Sequence, residues 1–427
     1  MKKPAALVLF IVLIGFAASI PTAAQTATSD GHWVSAWGSS VLEPVHLPGV
    51  PPEPPIADKT IRMVIRPTVG GRRVRVRLSN EFGTSALVVR AAHIALTDEG
   101  SRIKPETDRV LTFGGQANVG IPAGAPMLSD PVDLQVKAFS EVSISIYLPS
   151  NTPVSSWHFQ AQHGSYLAGP GDLTAKSDLS ESSHKAAWYF LSGLEVWTTR
   201  PTTTIVAFGD SITQGTSSKP EESYTDWPYQ LARRLSAESA VPAIAVVNEG
   251  IGGNRVLHDG AGVSALARFD RDVLAQPGVT TLILLAGIND IGFPRIRIAE
   301  LKIPALKENP FAAERVSAEE IVAGLQQIAV RAHEHGIRVF GGTVTPFEGT
   351  NSFDADGETV RQDVNKWIRT TKVFDGIFDF DALMRDPVRP SRLRDLYDSG
   401  DHVHPNPAGY KAMADSISLA VLKGQSP

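Results

Sequence analysis

The sequence predicts an α/β protein in two parts, an antiparallel β-sandwich over residues 30–199 followed by a five-stranded parallel sheet with its helices over residues 201–427. Two observations carry this. Up to about Thr199 the apolar residues come in short runs of period two, broken by Gly and Pro, as in half-buried antiparallel strands. From Thr203 onward, short continuous apolar runs alternate with helical patterns, which calls for a parallel sheet covered on both faces.

The chain has 427 residues, 42% apolar and 20% charged, enough to bury a core and too apolar for a disordered protein. Its formal net charge is −5, and the scattered arginines form no block of the kind nucleic-acid binders carry. It contains no cysteine, so disulfides, thiolate catalysis and Cys-based zinc sites are excluded. At the N-terminus Lys2 and Lys3 precede an apolar run from Ala5 to Ile20, and Thr22-Ala23-Ala24 follow. This run is shorter than the ~20 residues that span a bilayer and ends in small residues. Residues 1–24 are therefore read as a secretory signal peptide, with export to the periplasm or the extracellular space and no stable membrane anchor.

In the first region Val74, Val76 and Leu78 alternate with Arg73, Arg75 and Arg77, and Val142, Ile144, Ile146 and Leu148 alternate with Ser143, Ser145 and Tyr147. Each run is expected to present one buried and one solvated face. The stretches Pro48 to Pro55 and Gly171 to His184 read as loops. In the second region the expected strands are Thr204–Phe208, Ile244–Asn248, Thr281–Ala286, Arg338–Gly342 and Gly376–Phe380. The expected helices are Trp227–Ser239, Ala265–Ala275, Ala318–His335, Glu358–Arg369 and Ala408–Lys423, with Ser317 and Glu320 as a capping box and Asn406 capping the last.

In such sheets ligands bind beyond the carboxyl ends of the strands, and polar motifs fall there. The first strand runs into Gly209-Asp210-Ser211-Ile212-Thr213, which exposes a serine hydroxyl before a helix. Thr213 stands where a nucleophile elbow needs glycine. The second strand ends in Gly250-Ile251-Gly252-Gly253-Asn254-Arg255, a turn whose N–H groups can face a ligand. The third ends in Gly287-Ile288-Asn289-Asp290, where the Asn289 amide can donate to developing negative charge. Near the C-terminus, Asp401 and His404 stand three residues apart on one loop, so the carboxylate can fold back onto the ring and fix its tautomer.

These four blocks, in this order, resemble the SGNH/GDSL hydrolase superfamily of esterases and lipases over about Pro201 to Lys423. A secreted subgroup with an N-terminal β-domain is closer still, through Trp33-Val34-Ser35-Ala36-Trp37, Arg77-Leu78-Ser79-Asn80-Glu81-Phe82-Gly83 and Ala267-Arg268-Phe269-Asp270-Arg271-Asp272. The resemblance implies a three-layer α/β/α sandwich of flavodoxin-like kind, a carboxylic ester hydrolase activity, and no metal or organic cofactor. It also implies Ser211 as nucleophile, His404 as general base and Asp401 as its orienting carboxylate. The N–H groups of Ser211 and Gly253 and the side chain of Asn289 would form the oxyanion hole.

His402 alternates with His404 and is expected to point away from the serine, while Asp398 ranks below Asp401 because it stands six residues from His404. His333 and His335 read as a solvated helix end, Arg255 and Asp290 as loop braces, and the Arg73, Arg75, Arg77 row as a solvated strand face. The stretch Ile291 to Pro310 mixes apolar and charged residues without a clean stripe. It reads as a packed wall beside the oxyanion hole that favours short acyl groups, not as a mobile lid. The expected partner is thus a small-molecule or polysaccharide ester. The alternatives are a lysophospholipase or thioesterase acting on longer chains, or a non-enzymatic carbohydrate-binding surface protein.

Overall fold

The computed structural model describes residues 31–44, 52–161, 164–216, 224–238, 242–300 and 306–424. The expected signal peptide, the start of the proline-rich stretch and Leu301 and Ile303 of the expected wall lie outside these residues.

The N-terminal region is built from antiparallel sheets. One joins His32–Gly38, Leu191–Thr198, Gly71–Ser79 and Val132–Val136 in that order, with Pro126–Leu128 also on Gly71–Ser79. The other has Lys59–Ile65, Val142–Leu148 and Ala91–Glu99 at its centre. Both pack onto one core that includes Val74, Val76, Leu78, Ile144 and Ile146, as period-two strands require. The opposite faces differ from expectation. Ser143 and Ser145 are also buried, because a second layer covers them. Arg62, fully buried, donates to Ser145 Oγ at 2.9 Å, to the Ser101 carbonyl at 2.6 Å and to the Thr174 and Lys176 carbonyls at 3.1 and 2.7 Å. One guanidinium thereby holds the Gly171 to His184 loop over the sheet, and burial lowers its pKa to about 10 against the charges of Asp108 and Asp178. The arginine row is not a free solvated face either. Arg75 and Arg77 each reach buried Glu195 at 2.5 Å, and Arg75 lies over the Trp33 ring. Only Arg73, paired with Asp133 at 3.0 Å, has the expected exposure.

The second region is a five-stranded parallel sheet in the order Ala243–Gly250, Thr202–Gly209, Val279–Leu285, Arg338–Gly342, Gly376–Phe378. Alternate residues feed two helical layers. Val206, Phe208, Leu282 and Leu284 pack with Ile321, Leu325 and Ile328 of the helix Ala318–Glu334 and with Val364 and Ile368 of Ala355–Thr370. Ile205, Ala207, Ile283 and Leu285 pack with Trp227 and Leu231 of Trp227–Ala237 and with Tyr410 and Met413 of Pro407–Ser416. The capping box at Ser317 and Glu320 is complete, and Asn406 accepts from Gly409 N–H at 2.9 Å. Two expected helices are divided. Ala265–Phe269 continues as a wider π-type turn over Asp270–Leu274, and the last ends at Ser416 before a short Leu419–Leu422 turn. Among the described residues no helix is long and apolar enough to cross a membrane.

The outer strand Ala243–Gly250 would leave unpaired N–H and C=O groups, and the β-domain covers them. Thr68 Oγ1 accepts from Val246 N–H and donates to Val246 C=O, both at 3.0 Å. Ser35 N–H donates to the Pro277 carbonyl at 2.9 Å, and Ala245 joins the β-domain core.

Replacing Arg62 by Met should orphan three buried acceptors and release the Lys176 carbonyl, at a cost of about 3 kcal/mol. The urea midpoint of R62M should fall accordingly, with faster proteolysis between Gly171 and His184.

Candidate active site

Gly209-Asp210 ends the first strand and Ser211 opens the short helix Ser211–Gln214. The Asp210 side chain accepts from Ile212 N–H at 3.0 Å and caps that helix. As its first residue, Ser211 has an N–H with no intrahelical acceptor. From the far end of the chain the loop before Pro407–Ser416 brings His404, whose Nε2 lies 2.7 Å from Ser211 Oγ. Asp401 Oδ2 stands 2.6 Å from His404 Nδ1, while its Oδ1 accepts from the N–H groups of His404 and Val403 at 2.9 and 3.1 Å. Partial burial works against the Asp401 charge, but the hydrogen bond and charge of His404, with those N–H groups, hold it well below the usual carboxylate range. Asp401, His404 and Ser211 are thus joined in one relay.

The turn after the second strand carries Gly252 and Gly253 into the same open cleft of about 730 Å³, which Asn289 also lines. Gly253 has φ 79°, a conformation that disfavours a side chain, and a Cβ there would lie 2.9 Å from Ala261 Cβ and 3.1 Å from Phe293 Cζ. Asn289 Nδ2 donates to the Asn254 carbonyl at 3.0 Å, which orients the amide and leaves its second hydrogen for a ligand.

His402 does not contact Ser211. Its Nδ1 lies 2.6 Å from Asp398 Oδ2, so Asp398 serves His402 and not His404, and the ring lines the cleft against Gly349. His333 bonds Asp375 at 2.8 Å and His335 the Arg331 carbonyl at 3.0 Å. Among the described residues no three metal-ligating side chains converge. Asp290 accepts from Val256 and Leu257 N–H at 2.7 and 3.0 Å and so braces the Gly253 turn. Arg255 ties that turn to Glu314 at 2.5 Å.

Sequence reasoning left Arg268 without a role, yet it organises the floor of the site. Fully buried, it donates to Gly209 C=O at 2.8 Å, Glu249 C=O at 2.8 Å, Asn254 Oδ1 at 2.9 Å and Ser40 Oγ at 2.9 Å, with Asp272 at 3.0 Å as counter-ion. The only signal in the sequence is its place in a resembling block, since none of these acceptors except Asp272 is near it in the chain.

Burial pushes the pKa of Asp210 up to about 7, helped by the Asp290 charge and opposed by the Ile212 N–H, His404 and Arg268. In the unfolded chain the group ionises near its ordinary value of about 3.9. Between these values the folded state binds the extra proton, so this group makes stability fall as the pH rises from about 4 to about 7. Asp210→Asn keeps an acceptor for Ile212 N–H and should flatten that slope. Thermal melts of both proteins across this range check it.

Residues 207–412 match the model of the GDSL-like lipase/acylhydrolase family. Similar solved structures include an acetyl xylan esterase variant from Geobacillus stearothermophilus (24% identity, 50% of this chain and 92% of that one, TM-score 0.37). A member of the lipolytic protein G-D-S-L family from Veillonella parvula (17%, 52% and 97%, TM-score 0.35) is another. So is a GDSL-like lipase from Bacteroides thetaiotaomicron (17%, 52% and 89%, TM-score 0.35). Among curated protein sequences none matches the chain. With a parallel sheet, a serine at the end of its first strand and the matched segment spanning that serine and His404, residues 207–412 form an acyl hydrolase domain of the GDSL-like lipase/acylhydrolase family.

Proposed function

We propose that the protein is an exported serine esterase that cleaves carboxylic esters with short acyl groups, acetyl esters of carbohydrates among them. The observation that carries this reading is the continuous relay from Asp401 through His404 to Ser211, with contacts of 2.6 and 2.7 Å. His404 Nε2 takes the Ser211 proton as Oγ attacks the ester carbonyl. Asp401 holds the ring with Nε2 toward the serine and supports the imidazolium. The oxyanion is met by the N–H groups of Ser211 and Gly253 and by Asn289 Nδ2, each such donor typically contributing about 10²–10³ in kcat. His404 returns the proton to the departing alcohol. Water, deprotonated by the same ring, then attacks the acyl-enzyme, the acid leaves, and Ser211 regains its proton. Export is part of the proposal and rests on the pattern of Met1 to Ala24.

The preference for short acyl groups is supported by the packed wall beside the oxyanion turn. The Phe293 ring and Ala261 leave no room for a methyl group on Gly253. The described part of the Ile291 to Pro310 stretch is tied down by many bonds. Arg297 reaches the Phe353 and Thr350 carbonyls at 3.0 and 3.1 Å, Arg295 reaches Asp354 at 3.0 Å, and Asn309 reaches the Phe293 carbonyl at 2.8 Å. A segment held this way behaves as a wall and not as a lid.

Ser211→Ala and His404→Ala should each retain less than about a hundredth of the wild-type rate while keeping the wild-type melting curve. Rapid labelling of the wild type by a fluorophosphonate, absent in Ser211→Ala, should accompany this. A labelled Ser211→Ala would move the nucleophile elsewhere.

Each methylene that finds no room forfeits about 0.8 kcal/mol. Across p-nitrophenyl esters of two to twelve carbons, kcat/KM should therefore be highest for acetate and lower already at butyrate. A maximum at eight carbons or beyond would support a lysophospholipase or thioesterase instead.

A further inference from the structure

The β-domain does more than cover a sheet edge. Its two-stranded antiparallel sheet of Trp157–Phe159 and Ala187–Tyr189 is rooted in the domain core by Trp188 and Tyr189, and His158 is fixed by a 2.8 Å contact from Nδ1 to the Ser40 carbonyl. The next two side chains leave that core. Phe159 and Gln160 line the same cleft as Ser211, Gly253 and Asn289.

Three features show that this placement is held. Gln160 sits at φ 57°, a left-handed conformation that costs energy for a residue with a Cβ and recurs at functional sites. Gln214, in the helix that Ser211 opens, donates from Nε2 to the Phe159 carbonyl at 3.1 Å and accepts from Gly252 N–H through Oε1. One buried amide therefore locks the Trp157–Phe159 strand to the oxyanion turn. Finally, a Cβ built on Gly252 would lie 3.6 Å from Gln160 Oε1 and 3.7 Å from Phe159 Cζ, so both side chains border that turn.

We infer that Phe159 and Gln160 are specificity-determining residues, through which the β-domain binds the hydroxyl-bearing alcohol portion of the ester. The Phe159 ring offers an apolar face against which the C–H groups of a saturated ring can pack. The Gln160 amide offers a donor and an acceptor together, which suits a hydroxyl group. A plain aryl or alkyl alcohol uses only the first of these. The inference rests on the esterase reading of Ser211.

The test compares two substrates with the same acyl group, a monoacetylated methyl glycoside and phenyl acetate, on the full-length enzyme and its variants. Gln160→Gly removes the side chain and suits φ 57°, so the variant folds, and its melting curve verifies this. Gln160→Ala is the second variant. In both, kcat/KM for the glycoside acetate should fall about tenfold further than for phenyl acetate, the size of one lost hydrogen bond, with the loss expressed in KM. Phe159→Ala should lower the glycoside reaction in the same sense. Equal factors on the two substrates, or a loss confined to kcat, would overturn the inference and leave the esterase reading standing. A wild type that hydrolyses neither substrate and takes no fluorophosphonate would overturn both.

Discussion

A single buried guanidinium sets the geometry on which the cleft depends. Arg268 is withdrawn from water at a cost of several kcal/mol, which is recovered only because its planar fork meets acceptors all round. It also lies over the Phe208 ring at 4.0 Å. Burial lowers its pKa while Asp272 and Glu249 oppose the shift, so the cation and its carboxylate neighbours form one electrostatic unit. Gly209 C=O precedes the serine turn, and Glu249 C=O and Asn254 Oδ1 flank the Gly252 and Gly253 turn. One planar guanidinium thus ties the serine turn to the glycine turn.

The same unit joins the two domains. Ser40 donates to Glu249 Oε2 at 2.7 Å, Gln276 Nε2 to Glu249 Oε1 at 2.9 Å, and Ser35 Oγ to Gln276 at 2.7 Å. Ser40 directly, and Ser35 through Gln276, thus supply polar partners to a buried carboxyl group that has no access to water. Gly38 is part of this arrangement, since a Cβ there would collide with Glu249 Oε1. Burial, with the Asp272 charge, pushes the Glu249 pKa well above its ordinary value. A buried polar network and a covered strand edge thus join the N-terminal antiparallel sheets to the parallel sheet, and Phe159 and Gln160 of the former line the cleft beside Ser211.

The legibility of the structure in the sequence follows the range of the interactions concerned. Asp401 and His404 could be paired by inspection because the contact is local, a carboxylate folding over three residues onto a ring. The five parallel strands and their helices were readable for a similar reason, since a strand buried on both faces must be continuously apolar and a helix on a sheet must repeat at 3.6 residues. Expected strand ends differ from the observed ones by two residues or fewer, and Arg338–Gly342 coincides. The three-layer arrangement came from the family resemblance, not from periodicity.

Contacts between segments far apart in the chain left no such trace. A serine in a strand looks solvated, but Ser145 is buried because Arg62 pins a distant loop across it. Arg75 and Arg77 look like a charged surface, but they neutralise Glu195 nearly 120 residues away. Period, composition and short-range capping determined the fold class, the order of elements and the residues around the serine and histidine. Only the tertiary structure decided that Asp398 serves His402, that Arg268 joins the serine turn to the glycine turn after the second strand, and that Phe159 and Gln160 border them. The physical reason is that hydrogen bonds and buried charges are satisfied by whatever packing brings near, and nothing in the local pattern of a chain records which distant group that will be.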